Sequence, residues 1–285
     1  MKIAILSGKG GTGKTTLSVN LFSYLDQVTL IDTDVEEPNS HLFIKGHDVI
    51  EESVLKKYPV VNEFLCTNCG KCGDFCNFNA IIPAKKKVLV FQDLCHDCGG
   101  CKLVCDPGAI TYEDKEMGKT YLQTLSEKKK FIYGNLNVGE VSGVKIIESL
   151  HKMTENEEFL LVDCPPGTSC ATVAAIEGAD YCIICAEPTP FGISDMKMVV
   201  ELLRAKNLNF GVVVNKYNLG NDDIYDYLDK ENIKLLEKIE FNRDFASLLA
   251  KGEILIDHSD YFKEKMANIA RTVMGEANDK WNSNN

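Results

Sequence analysis

Residues 8–15, Gly-Lys-Gly-Gly-Thr-Gly-Lys-Thr, follow directly on a four-residue apolar run, Ile3-Ala4-Ile5-Leu6. The stretch fits the phosphate-loop pattern G-x-x-x-x-G-K-[ST], with Gly8, Gly13, Lys14 and Thr15 at its defining positions. A strand, a glycine turn and a helix are thereby fixed in order. Gly8, Gly10, Gly11 and Gly13 let the backbone curl with its N–H groups inward. A helix starting at Thr12 or Gly13 adds its positive end, so that the loop, Thr12 and Thr16 included, forms an anion cradle. Lys14 is expected to reach the β- and γ-phosphates and Thr15 to offer its hydroxyl to Mg²⁺. Lys9 stands five residues before Lys14 in a tight turn. It is poorly placed for the phosphates of its own subunit and better placed to reach a nucleotide across a dimer interface.

Gly8–Thr15 resembles the deviant phosphate loop of the MinD, ParA, Mrp and nitrogenase-reductase ATPases. That resemblance makes Lys9 the signature lysine, which contacts the partner's nucleotide in an ATP-bound dimer. The chain's arginines, Arg204, Arg243 and Arg271, all lie in the C-terminal third, and none is in a glycine-rich turn. Lys9 is therefore expected to carry the charge-stabilising role of an arginine finger. Other parts follow in family order. Val28–Ile31 reads as a strand ending in Asp32-Thr33-Asp34-Val35-Glu36-Glu37-Pro38-Asn39. The resemblance gives Asp34 the orienting of the attacking water and Asp32 a place in the Mg²⁺ shell. Phe159–Val162 ends in Asp163, the second Mg²⁺ anchor, and Gly167 matches the switch II glycine. Asn215, after the apolar Gly211–Val214, resembles the residue that bonds the adenine edge, and Glu187-Pro188-Thr189-Pro190 matches a family turn.

A second constellation is independent of the first. Cys66-x2-Cys69-x2-Cys72-x3-Cys76 is followed by Cys95-x2-Cys98-x2-Cys101-x3-Cys105, and Ala80-Ile81 recurs as Ala109-Ile110 at the same spacing of 29 residues. Disulfides are disfavoured in an acidic chain without a secretory signal, and the doubled spacing is not a zinc-ribbon pattern. The run is similar to bacterial two-cluster ferredoxins, in which the fourth cysteine of each run ligates the other cluster. The resemblance implies one [4Fe–4S] cluster on Cys66, Cys69, Cys72 and Cys105. It implies another on Cys95, Cys98, Cys101 and Cys76. The usual proline after the fourth cysteine is absent: Asn77 follows Cys76, and Asp106 follows Cys105.

Of the other cysteines, Cys182 and Cys185 lie three apart on an apparent strand, point to opposite faces and are expected in the core. Cys164 is expected to be buried. Cys170 lies just past Gly167, where nitrogenase-reductase relatives place a bridging ligand; no second cysteine stands ready to share such a site.

The net charge of −11 disfavours non-specific nucleic-acid binding. Twelve cysteines without a signal peptide point to a reducing cytoplasm. No stretch approaches the roughly 20 apolar residues of a membrane span. Phe262, Met266, Ile269 and Val273 form a helical stripe expected to pack in the core, and the tail from residue 278 to 285 is expected to be disordered.

These features predict a doubly wound, mostly parallel α/β sheet. An ATPase domain over residues 1–60 and 115–285 is interrupted by a ferredoxin-like insert over 61–114, with residues 44–60 as linker and Lys85-Lys86-Lys87 as a solvated loop tip. The expected activity is Mg²⁺-dependent ATP hydrolysis with an ATP-bound homodimer, gating electron transfer to a redox partner. The alternatives are a carrier of iron–sulfur clusters or a metallocofactor for client proteins, and a MinD-like positioning switch with redox-sensing clusters.

Overall fold

A computed structural model describes residues 1–284, with side chains described as far as Glu276. Its strands are β1 (Lys2–Leu6), β2 (Val28–Asp32), β3 (His47–Val61), β4 (Ile81–Pro83), β5 (Val88–Val90), β6 (Ile110–Ser126), β7 (Lys129–Leu136), β8 (Leu160–Asp163), β9 (Tyr181–Ala186), β10 (Phe210–Asn215) and β11 (Lys234–Ile239). The helices are α1 (Lys14–Tyr24), α2 (Lys71–Phe75), α3 (Gly100–Leu103), α4 (Val144–Met153), α5 (Cys170–Ala175), α6 (Pro190–Ala205), α7 (Asp223–Lys230), α8 (Arg243–Leu249) and α9 (Asp260–Asn284).

Nine strands form one sheet in the order β11-β10-β9-β1-β8-β2-β7-β6-β3. From β11 to β7 all neighbours are parallel, whereas β6 runs antiparallel to both β7 and β3. A strand buried on both faces reads as a continuous apolar run, and Ile3-Ala4-Ile5-Leu6 shows how it is divided. Ala4 and Leu6 face a core layer with Ile146 of α4, Val199 of α6 and Ile224 of α7. Ile3 and Ile5 face the other layer, with Leu17 and Leu21 of α1 and the α9 stripe. Cys182 and Cys185 divide between the same two layers. Phe262, Met266, Ile269 and Val273 are at most 2% exposed. Burial of side chains of this size stabilises by roughly 1.5–3 kcal/mol each, so this stripe belongs to the core and not to a membrane surface. No helix among the described residues is long and apolar enough to cross a membrane. The backbone of the tail continues α9 to Asn284; its side chains, and Asn285, lie outside the described residues.

One expectation is corrected. Residues 47–60 are not a linker but most of β3, which pairs with β6 from His47↔Thr124 to Val61↔Ile110. Glu51, Glu52 and Lys57 are exposed positions of β3. Charges on an edge strand discourage pairing with another chain, and they also disguised the strand. All eight ferredoxin-spaced cysteines lie between the ends of this pair, beyond Val61 and before Ile110.

The repeat at 29 residues is a structural repeat. Gly70 and Gly99, at φ 89° and 75°, precede α2 and α3. Asn68 and Asp97 share φ near 55°, and Asn79 and Gly108 are also at positive φ. Ala80, Ile81, Ala109 and Ile110 are all buried, while Cys69 and Cys98 are the exposed members of their runs. α2 packs on α3 so closely that a Cβ on Gly100 would lie 2.0 Å from the Phe75 ring. Lys85–Lys87 form the exposed turn of the β4–β5 hairpin, as expected.

Candidate functional site

The phosphate loop joins β1 to α1, with Gly13 in the left-handed region at φ 96° as the residue before the helix. A Cβ there would lie 2.2 Å from Asn215 Nδ2. Asn215 Nδ2 donates to the Thr12 carbonyl (2.7 Å), and Lys216 Nζ donates to the Gly11 carbonyl (3.0 Å). The end of β10 thus braces the loop from one side. Beside it opens a cavity of about 310 Å³ lined by Thr16, Asn215, Lys216, Phe241, Asn242 and Phe245. Thr12 Oγ1 is buried with no hydrogen-bond partner. An orphaned hydroxyl beside a cradle of backbone N–H groups fits a missing polar ligand.

Lys14 is buried at the start of α1, and its Nζ donates to Asp163 Oδ1 at 2.8 Å. Asp32 and Asp163 are register partners at the ends of β2 and β8. Asp32 accepts from the backbone N–H groups of Asp34 (3.1 Å), Asn39 (3.2 Å) and Ser40 (3.0 Å). Ser40 Oγ donates to Asp163 Oδ2 at 3.3 Å, and Thr33 Oγ1 donates to the Asp163 carbonyl at 2.7 Å. Burial and the neighbouring Asp163 push Asp32 up to about 7, although Lys14 opposes the shift. Burial likewise pushes Asp34 up to about 6, again against Lys14 and with Asp163 adding to it. Burial disfavours the charged form of Lys14, but Asp163, Asp32 and Asp34 outweigh it and hold the ammonium above the usual lysine range. Three carboxylates and one ammonium at the ends of two adjacent strands make an electrostatic setting that a divalent cation would relieve. Thr15 stands half-buried on the first turn of α1.

Gly167, at φ 82°, donates its N–H to the Ser7 carbonyl (2.8 Å). Lys9 Nζ lies 3.6 Å from Glu187 Oε2, and Lys216 Nζ lies 2.5 Å from Glu187 Oε1. Glu187 therefore ties the phosphate loop to the turn after β9.

The cysteines line two separate cavities. One is bounded by Cys66, Cys69, Cys72 and Cys105, with Val61 and Ile110. The other is bounded by Cys76, Cys95, Cys98 and Cys101, with Phe75 and Tyr112. Each contains three thiols of one run and the fourth of the other, which is the crossed arrangement. Among the described residues no group of three or more His, Cys, Asp or Glu converges on a point that one ion could occupy. Tyr112 Oη stands 3.3 Å from Cys101 Sγ.

A third cavity, of about 760 Å³, lies between the sheet and the cysteine insert; Glu36, Cys95, Asp97, Glu140, Lys145 and Cys170 are among its walls. Cys170 is exposed on the first turn of α5, which Ser169 caps. Cys164 is fully buried.

Sequence reasoning missed several residues. Phe241, Asn242 and Phe245 come from the end of β11 and the start of α8, where nothing but proximity to a strand end marked them. Ser40 and Thr33 reach Asp163 because the chain after β2 folds back. Lys56 and Glu140 are charged residues that read as surface positions, yet the side chain of each is only 3% exposed.

A family model described as the CobQ/CobB/MinD/ParA nucleotide binding domain matches residues 3–256. An uncharacterised protein of Methanocaldococcus jannaschii is 32% identical over 94% of this chain and 97% of its own length. A protein of Aquifex aeolicus named as an iron–sulfur cluster carrier is 25% identical, over 90% of this chain and 62% of its own. Among solved structures, the MinC:MinD cell division complex of Aquifex aeolicus superposes with a TM-score of 0.59, at 18% identity over 96% of both chains. MinD of Pyrococcus horikoshii complexed with Mg-ADP gives 0.57, at 18% identity over 94% of this chain and 93% of that one. At such identities the likeness is one of fold.

Proposed function

The chain belongs to the CobQ/CobB/MinD/ParA nucleotide-binding family, and on that premise we propose an ATP-hydrolysing protein whose nucleotide cycle gates electron transfer through an iron–sulfur insert to a redox partner. The observation that carries this reading is the sorting of eight cysteines into two cavities, each lined by three cysteines of one run and the fourth of the other.

The loop N–H groups from Gly8 to Thr16 and the Lys14 ammonium bind the phosphates. Thr15, Asp32 and Asp163 would hold Mg²⁺, which when bound would neutralise phosphate charge. Once phosphates draw Lys14 away from Asp163, that carboxylate becomes available to the metal. Asp34, ionised above about pH 6, orients the attacking water. Gly167 exchanges the Ser7 carbonyl for the γ-phosphate, which moves switch II. Lys9 leaves Glu187 for the nucleotide of a partner subunit, so that ATP closes a homodimer. Asn215 selects the base together with the apolar wall of Phe241 and Phe245.

Cys66, Cys69, Cys72 and Cys105 hold one cube, and Cys76, Cys95, Cys98 and Cys101 the other. When bound, such clusters supply one-electron storage at fixed ligation. Full ligand sets on one chain favour permanent carriage of electrons. The similarity to a protein named as an iron–sulfur cluster carrier favours a second reading, delivery of a cluster to a client. Anaerobic protein mixed with an iron-free acceptor separates the two. Electron transfer predicts that iron stays on this chain through repeated redox cycles, and delivery predicts that it leaves, faster with ATP.

A further inference from the structure

The cleft between sheet and insert is crossed by a buried ion pair. The side chains of Lys56 on β3 and Glu140, in the loop between β7 and α4, are each 3% exposed and bonded to each other. Lys115 on β6 reaches the second Glu140 oxygen at 2.9 Å and also pairs with Asp93. Two buried charges are tolerated only where further hydrogen bonds satisfy them. Lys56 Nζ finds those bonds on the backbone of the second cysteine run, donating to the carbonyls of Gln92 (2.9 Å) and Cys95 (3.4 Å). A little further on, Lys145 on the first turn of α4 pairs with Asp97.

The other end of this loop is fastened to the nucleotide site. Val35 follows Asp34 directly, and its carbonyl accepts from the Leu136 N–H at 2.8 Å, where the loop begins. Where the loop ends, a Cβ on Gly143 would lie 2.2 Å from Val35 Cγ2. Both ends of the segment carrying Glu140 thus rest on the residue next to Asp34. Its tip holds the ammonium that caps the Cys95 carbonyl.

The first cysteine run has no such link among the described residues. Asn68 Nδ2 donates to the Ala84 carbonyl (2.9 Å) and Lys71 pairs with Asp106, both inside the insert. The cleft reaches Cys95 but none of the thiols of the Cys66 set.

We propose that Lys56 and Glu140 are positioning residues that connect switch I to the Cys95 segment, so that the Cys76/Cys95/Cys98/Cys101 cube responds to nucleotide and the Cys66 cube does not. This rests on the two-cube reading above. A displacement of Val35 moves the Glu140 loop, and with it a positive charge held against the backbone of a ligand cysteine. Charge and hydrogen bonding around the ligands set a cluster's potential. The contact path is continuous from Asp34 to Cys95, which is the physical requirement for such a link.

The test is a redox titration of the iron-loaded full chain without nucleotide, with ADP, and with ATP in the Asp34→Ala variant. Loss of a ligand in Cys69→Ala identifies the signal of the Cys66 cube. A coupling of about fivefold, the low end of allosteric pairs, corresponds to about 40 mV at about 59 mV per tenfold. The expected result is a shift of at least this size in the Cys95 cube and none in the other. Lys56→Met and Glu140→Gln should each remove the shift while ATP affinity is retained. Equal shifts in both cubes, a shift confined to the Cys66 cube, no shift, or a shift that survives both variants would overturn the proposal. A chain that takes up no iron defeats the two-cube reading instead. Hydrogen exchange then decides the link on the iron-free protein: slower exchange at amides 92–97 with ATP supports it, and unchanged exchange there overturns it.

Discussion

The Lys14 ammonium lies 2.8 Å from Asp163 Oδ1, and Asp163 is the register partner of Asp32 on the neighbouring strand. The lysine expected to bind phosphate and two expected metal anchors therefore form one buried charge cluster. Lys14→Met should abolish ATP binding and, without nucleotide, destabilise the protein by about 3 kcal/mol, the range for breaking a buried pair. The loss should be smaller at pH 5.5 than at pH 8, because protonated Asp32 and Asp34 no longer need the ammonium. Denaturant titration of both proteins at the two pH values checks this. A loss independent of pH would contradict the arrangement.

Burial, with Asp163 and Glu36 adding to it and Lys14 opposing, pushes the Asp34 carboxyl up to about 6. In the proposed water-orienting role it acts when ionised, so single-turnover hydrolysis should rise through pH 6 and level off above pH 7. The stability of the protein without nucleotide should run the other way. Folded-state values raised above the ordinary aspartate range, for Asp34 and for Asp32 near 7, contribute stability at low pH that is lost as pH rises through 6–7. A flat rate profile between pH 5 and 8 would remove Asp34 from that role.

Lys9 pairs with Glu187 at 3.6 Å, its own side chain about a third exposed, and solvent-screened pairs of this kind contribute about 0–1 kcal/mol. Lys9→Ala should therefore fold normally and bind ATP. It should remain a monomer with ATP in sedimentation and lose roughly 10³-fold in hydrolysis, the low end for removal of a trans-acting cation. A dimeric, active variant would exclude the role across the interface.

The phosphate loop was legible because phosphate binding fixes both residue type and spacing, and the cysteine segment was legible as a repeat because Gly70 and Gly99, 29 residues apart, take the same backbone turn. The strands β1, β2, β8, β9 and β10 were legible because burial on both faces makes apolar runs. β3 was not, since a solvated strand that carries Glu51, Glu52 and Lys57 looks like a linker. Lys56 and Lys57 are adjacent and indistinguishable in sequence; only the pairing with β6 turns Lys56 toward Glu140. Phe241 and Phe245 likewise depend on where α8 lands, which no local pattern records. The burial of the α9 stripe was read correctly from its period, because charged residues flank it without forming a basic face.

The central claim, two crossed clusters on a nucleotide-binding chain, is tested most directly by iron content and spectroscopy of anaerobic protein with Cys76→Ala beside it. The wild-type chain should carry about eight irons, the content of two four-iron clusters. In the variant, damage should fall on the cluster held by Cys95, Cys98 and Cys101, whose cavity Cys76 completes. About four irons or fewer in the wild type, or damage confined to the cluster on Cys66, Cys69 and Cys72, would contradict it.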